Sequence, residues 1–306
     1  MRVPIALFIF NRLDSTEKVF EVIRQVQPAK LLVVADGPRT ERPGEAEKCA
    51  ATRAIIDRVD WDCQVLRNYS DTNLGCKKRI ASGLDWVFNI FEKAIILEDD
   101  CLPHPTFFRF CEELLERYQD DTRIMSISGS NFQFGIRRTK NSYYFSRYFH
   151  CWGWATWRRA WQRYDGEMKL WSEVRDNGWL EKTLMDSRAA KYWEKMFQAA
   201  RAGLINTWDY PFLFTCWMHN YLNIIPNVNL VSNIGFDGAA THTSAVKAKP
   251  IEAEIPTTEI VFPLQHPKPV MCHVEADRFT QNTIYDPNLF TRIKRKLKRW
   301  LNRYIL

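Results

Sequence analysis

The sequence predicts an α/β protein with a mostly parallel central sheet and helices on both faces. Three observations carry this prediction. Apolar runs of strand length alternate with helix-period segments over the first hundred residues. The run Ala94–Leu97 is apolar without alternation, as in a strand buried on both faces of a parallel sheet. It ends in Glu98, Asp99 and Asp100, at the strand end where open α/β sheets bind ligands.

The elements follow in order. Pro4–Phe10 is the first strand, and Asp14 or Ser15 can cap a helix over Thr16–Val26. Leu31–Ala35 is the second strand, stopped by Asp36-Gly37-Pro38. Residues 39–48 are polar and lead into a helix around Ala46–Val59. Cys63–Arg67 is the third strand, Asn73-Leu74-Gly75 punctuates, and Lys77–Phe91 has helical period. The acidic strand comes next. Thr106 can cap the helix Phe107–Tyr118, which leaves the three acids for other work.

The second half changes character. Arg123–Ser128 is a short strand and Arg137–Asn141 a loop tip. Tyr143–Trp161 is dense in aromatics, residues 180–202 are helical, and Leu222–Val231 reads as one strand. Proline recurs from Lys247 to Pro269, which predicts an extended segment over the surface. From residue 289 onward, apolar positions at helical spacing (Ile293, Leu297, Trp300, Leu301, Tyr304) alternate with cations, the pattern of a basic amphipathic helix.

Composition narrows the function classes. The chain has 306 residues, twelve Trp and a formal charge of +7. Seven basic residues and no acids fall between Thr291 and the end, so the body is neutral and its charge offers nothing to nucleic acid. The eight cysteines include no C-x-x-C pair, which argues against a zinc site and for reduced thiols in a cytosol-like compartment. No secretory signal or membrane-spanning run is apparent. The expected location is cytoplasmic, with residues 289–306 offering a peripheral hold on a membrane surface or, as the alternative, a helix docked on protein.

Several clusters can carry chemistry. Crowded carboxylates at 98–100 repel unless a cation holds them, and a hard divalent ion, Mn²⁺ or Mg²⁺, carrying a substrate phosphate would do so. By strand alternation Glu98 and Asp100 share one face and Asp99 the other. The alternative is an acidic turn. Asp36 can take a ribose or base edge, or simply close a turn. Lys77, Lys78 and Arg79 can hold a diphosphate, or form a solvated helix face. Asp209, between Trp208 and Tyr210, is placed to act as a base, or to cap a helix. Trp152 and Trp154 can pack on a sugar, or fill core. His242 is a candidate metal or phosphate contact, or a solvated loop histidine.

The order of these motifs resembles a family. Phe8–Arg12, Asp36-Gly37-Pro38, Leu97–Asp100, Ser126–Asn131, Trp152-Gly153-Trp154 and Trp208-Asp209 are together similar to the GT-A nucleotide-sugar glycosyltransferases. The likeness is to the N-acetylglucosaminyltransferase I group and to bacterial family-2-like, haemolysin-like glycosyltransferases, over roughly residues 3–245. Glu98-Asp99-Asp100 looks like a form of the family's DXD motif. Trp208-Asp209 looks like its Trp-Asp-Asp segment, with Tyr210 in place of the second acid.

The resemblance implies an inverting transferase. A UDP-sugar, with N-acetylglucosamine the first guess, would give its sugar to a hydroxyl of a glycan or lipid-linked acceptor. Asp100, with His242, would hold Mn²⁺ or Mg²⁺. Asn11, Arg12, Asp36, Lys78, Glu98 and Asp99 would meet the donor. Trp152, Trp154 and Tyr210 would meet the acceptor, and Asp209 would take its proton. The implied organisation is a catalytic domain over 1–246, with a nucleotide-sugar half at 1–131 and an acceptor half at 132–246. A proline-containing segment at 247–288 and the helix at 289–306 follow. Eukaryotic members carry an amino-terminal Golgi anchor that is not apparent here, so the resemblance gives neither location nor acceptor. A sugar-phosphate nucleotidyltransferase and a non-catalytic sugar-binding module are the other readings. The first needs a glycine-rich loop where Asn11-Arg12-Leu13-Asp14 stands, and the second needs no acid triplet.

Overall fold

Apolar side chains, with no polar groups of their own to satisfy, fill the centre of the sheet. β1 (Ile5–Ile9), β2 (Lys30–Ala35) and β4 (Lys93–Glu98) are buried along almost their whole length, as parallel strands covered on both faces must be. The structure, a computed structural model, describes residues 1–236 and 250–287. His242 and the helix expected at 289–306 lie outside the described residues.

Ten strands are described. The others are β3 (Gln64–Tyr69), β5 (Cys101–Pro103), β6 (Ile124–Ser128), β7 (Tyr143–Ser146), β8 (Trp154–Trp157), β9 (Leu222–Pro226) and β10 (Val231–Asn233). Eight form one sheet in the order β3-β2-β1-β4-β8-β6-β9-β7. Pairing is parallel from β3 through β4 and between β6 and β9. β8 and β7 run against their neighbours. The expected α/β class, with a mostly parallel sheet, is what the chain adopts.

The helices cover both faces. They are α1 (Leu13–Val26), α2 (Glu45–Ala54), α3 (Cys76–Ile90), α4 (Thr106–Arg117), α5 (Arg158–Trp161), α6 (Trp171–Arg175), α7 (Trp179–Leu184), α8 (Ser187–Arg201), α9 (Asp209–Met218) and α10 (Val274–Thr280). Strand alternation sorts the core into two layers. Leu7, Ile9, Ile95 and Leu97 face α1 and α4, packing with Phe20, Phe107, Phe110 and Leu114. Ala6, Phe8, Val34 and Ile96 face α3 and the aromatic helices, packing with Leu84, Phe88, Trp154 and Phe212. A Cβ on Gly83 of α3 would lie 2.5 Å from the Phe8 ring and 2.7 Å from Val34, so α3 lies close on β1 and β2.

Several expectations need correction. Asp14 and Ser15 do not cap α1, which starts earlier with Arg12 at its cap position, and Thr16 Oγ1 donates to the Arg12 carbonyl. Thr106 does not cap α4 but is its first residue, with Pro105 at the cap position, and its N–H donates to His104 Nδ1 at 3.3 Å. The segment 222–231 is not one strand. Asn227 and Asn229 turn their amides to the carbonyls of Thr139, Asn141 and Ile255, which ends β9 and releases β10. β10 then pairs antiparallel with β5, directly after the acids. Among its described residues, the proline-containing segment expected to be extended over 247–288 holds a turn of 3₁₀ helix at Ile251–Glu254, runs without regular structure through Pro269, and then forms α10 (Val274–Thr280). All eight cysteines are free thiols.

Candidate active site

A cavity of about 290 Å³ opens at the carboxyl edge of the parallel half of the sheet. It lies over the ends of β1, β2 and β4 and is roofed by the first turn of α3. Its wall includes Phe10, Arg12, Arg39, Asn73, Gly75, Cys76, Arg79, Glu98, Asp99, Asp100 and Asn206. The amino end of α3 belongs to that wall, and such an end favours an anion through its orphan N–H groups.

All three acids reach this one cavity. Alternation predicted two faces, but β4 ends at Glu98, and Asp99 and Asp100 form a turn. Asp99 Oδ2 accepts from the Phe10 N–H at 3.0 Å. Arg12 Nη1 donates to Asp100 Oδ2 and stands 3.6 Å from Asp99 Oδ1. Burial, with the charges of Asp100, Asp99 and Asp209 added, holds the Glu98 carboxyl well above the usual carboxylate range. Burial and then Asp100 push Asp99 up to about 7, against the pull of Arg12. One guanidinium is thus too little cation for three acids.

That shortfall is the test of whether the residues suit a hard divalent ion. Among the described residues, no three His, Cys, Asp or Glu side chains form a metal cage by themselves. Mg²⁺ and Mn²⁺ commonly need only one or two carboxylates when substrate phosphates supply the other oxygens. Asp100 and Glu98 are oxygen donors of the right hardness, and both line this cavity. The residues fit.

The structure places the remaining candidates unequally. Asp36 lines the cavity, but its carboxylate accepts from the backbone of Gly37, Leu74 and Gly75 and from Asn73 Nδ2, at 2.9 to 3.1 Å. Its work is to tie the 73–75 loop to the end of β2. Asn11 donates to Glu45 Oε1 at 2.9 Å, and Arg39 clamps the same carboxylate through its side chain and its N–H. Arg39 holds the Glu45 carboxyl below its usual range and lies over the Phe10 ring.

Lys78 is not brought to the cavity. α3 buries Arg79, Ile80, Gly83 and Leu84, so Lys78 falls on the solvent side. Of the cations at 77–79, Arg79 is the one in the cavity wall. It donates to Asn68 Oδ1 at 2.8 Å, and its buried Nε has no hydrogen-bond partner among the described residues. Helix phase carried that distinction, once the helix start was known.

Asp209 is the first residue of α9. Thr207 Oγ1 donates to its carboxylate. Asp209 is half-buried, and its charge reaches Glu98, Cys76 and Cys151, so the start of α9 and the end of β4 share one electrostatic neighbourhood. Asn206, three residues earlier, is in the cavity wall.

The aromatic candidates divide. Trp154 is 1 % exposed, stacked on Trp208 at 5.4 Å and edged by Phe149 and Phe212. It is core, because β8 sits between β4 and β6 and this face of the sheet is covered by helices. Trp152 is half-buried beside Phe132 and Phe236, and Tyr210 is half-buried against Trp193. Tyr285, not anticipated from the sequence, packs on Tyr148 and Trp193 within reach of the Asp209 charge.

No family model matches the sequence, and no curated protein matches it. Solved structures similar to it include the mannosyltransferase PcManGT of Pyrobaculum calidifontis in complex with GDP-Man and Mn²⁺. That likeness has 15 % identity and a TM-score of 0.41, covering 71 % of this chain and 68 % of the other. Mouse xyloside xylosyltransferase 1 is similar at 12 % identity and a TM-score of 0.36, over 73 % and 84 %. A 4-diphosphocytidyl-2C-methyl-D-erythritol synthase from Anaerococcus prevotii is similar at 10 % identity and a TM-score of 0.33, over 53 % and 75 %. At these values the likenesses bear on neither substrate nor mechanism.

Proposed function

We infer that this protein is a metal-dependent glycosyltransferase of the GT-A type. It would move a sugar from a UDP-sugar to a hydroxyl of a glycan or lipid-linked acceptor, with inversion at the anomeric carbon. The observation that carries the reading is the convergence of Glu98, Asp99 and Asp100 on one cavity, with Arg12 across it and Asp209 within reach of Glu98. N-acetylglucosamine as the sugar rests on the sequence resemblance.

Each residue then has a task. Arg12, Arg39, Arg79 and the amino end of α3 supply positive potential for a diphosphate. Asp36 holds the 73–75 loop, so that backbone, rather than the Asp36 carboxylate, meets the nucleoside. Asp100 and Glu98 would hold the divalent ion, which supplies charge stabilisation to the departing diphosphate. Asp209 removes the proton of the acceptor hydroxyl. Trp152, Tyr210 and Tyr285 offer aromatic surface on the acceptor side, and Trp154 sets the α9 side of the core behind them. Holding both substrates in line supplies much of the remaining rate.

Calorimetric titration of UDP, with and without Mn²⁺, tests the donor site. The reading requires UDP to bind and Mn²⁺ to strengthen it. A protein that binds no uridine or other nucleoside diphosphate under either condition refutes it.

A further inference from the structure

We propose that Asn206 reads the transferred sugar, through hydrogen bonds between its side-chain amide and the sugar's hydroxyls. The inference rests on the proposed function, because it takes the cavity as the donor site and Asp209 as the base.

The two halves of the chain contribute unequally to the cavity. Among the described residues of its wall, Asn206 alone comes from the second half. Its amide lies against the start of α3. A Cβ on Gly75, at the cap position of that helix, would stand 3.2 Å from Asn206 Nδ2. No hydrogen bond engages that amide among the described residues. The turn that carries it is tied at both ends. Leu204 N–H donates to the Ala199 carbonyl at 2.9 Å, at the end of α8, and Thr207 N–H donates to the Ile205 carbonyl at 3.1 Å. Thr207 Oγ1 donates to the Asp209 carboxylate. Asn206 thus keeps a fixed relation to Asp209, three residues on.

The chemistry favours sugar over phosphate at this position. Inversion needs the anomeric carbon in line between the departing diphosphate and the attacking hydroxyl. In the proposed site the diphosphate lies at the amino end of α3 and the hydroxyl at Asp209, so the sugar spans the interval. Asn206 belongs to both ends: its amide lies against the first, and its turn leads into the second. An amide offers two donors, one acceptor oxygen and no charge. That suits hydroxyls, which both donate and accept. Phosphate oxygens only accept, and Arg39 and Arg79 stand in the same wall for them. A polar group placed to bond a substrate hydroxyl also penalises a donor that lacks it or turns it away.

The test is calorimetric titration, in Mn²⁺, of UDP, UDP-glucose, UDP-galactose and UDP-N-acetylglucosamine into wild type and Asn206→Ala. The quantity read is the affinity for each UDP-sugar relative to UDP in the same protein. Asn206→Ala is expected to bind UDP as wild type does, which also shows the cavity intact. It is expected to lose about two- to tenfold in affinity for the UDP-sugar that wild type binds best, the size of one hydrogen bond. The spread among the three UDP-sugars should narrow with it. Asn206→Ser, which also removes the amide, takes its place with the same outcomes if Asn206→Ala does not fold. Equal losses for UDP and the UDP-sugars would make Asn206 a diphosphate contact, and unchanged values for all four would leave it without a role. Either result overturns the inference and leaves the donor site standing. Wild type that binds none of the four refutes the proposed function, and the inference falls with it.

Discussion

Glu98 ends β4, Asp209 begins α9, and the charge of the second helps hold the carboxyl of the first above its usual range, after burial and the two neighbouring aspartates. The two halves of the chain thus meet electrostatically at one place. The donor cavity proposed for the first half and the base proposed in the second are what a transfer between two substrates needs.

Asp100→Asn keeps size and hydrogen bonding but removes the charge a hard cation requires. Mn²⁺-dependent donor turnover should fall below detection, while far-ultraviolet circular dichroism and the melting curve stay near wild type. Undiminished turnover in this variant, or in excess chelator, contradicts the metal role.

Asp209→Asn cannot accept a proton. The expected loss in kcat is about 10²–10⁴-fold, with UDP-sugar affinity little changed. A variant within a few-fold of wild type assigns the base elsewhere.

The first four strands of the sheet and the acid junction were legible because they rest on local period: apolar runs, helical spacing and turn residues. β5 and β10 were not, since three-residue strands are held by a partner far along the chain. The choice of Arg79 over Lys78 depends on helix phase, which shifts with the first residue of α3. Asn11, Arg39 and Glu45 meet only in three dimensions. Trp154 could not be told from Trp152 because an aromatic-dense run has no polar face to orient it.

Trp154→Ala should therefore act on stability. Removing a buried aromatic of this size costs about 3–5 kcal/mol. Trp152→Ala, half-buried, should cost less and change the acceptor KM more than the melting temperature. Equal melting temperatures for the two variants would contradict the separation of core from acceptor surface.

His150 gives a pH signature. It is 3 % exposed, its Nε2 has no hydrogen-bond partner among the described residues, and Nδ1 is 3.1 Å from the Ser130 carbonyl. Burial lowers its pKa from 6.5 to about 4. The unfolded chain takes up the proton first, so this contribution to stability is full above about pH 6.5 and is lost as pH falls towards 4. The size is on the order of 3 kcal/mol. Urea denaturation between pH 7 and 4 should show this slope in wild type, and a shallower one in His150→Asn. Identical slopes would place the pH dependence on other groups.

The most direct measurement is UDP release from a panel of UDP-sugars, with an acceptor mixture of glycans and lipid-linked glycans, in Mn²⁺ and in EDTA. The account predicts release from at least one donor in Mn²⁺, stimulated by acceptor, lost in EDTA and lost in Asp100→Asn. Release that ignores both EDTA and that substitution, or no release from any donor by a protein that binds UDP and Mn²⁺, would contradict it.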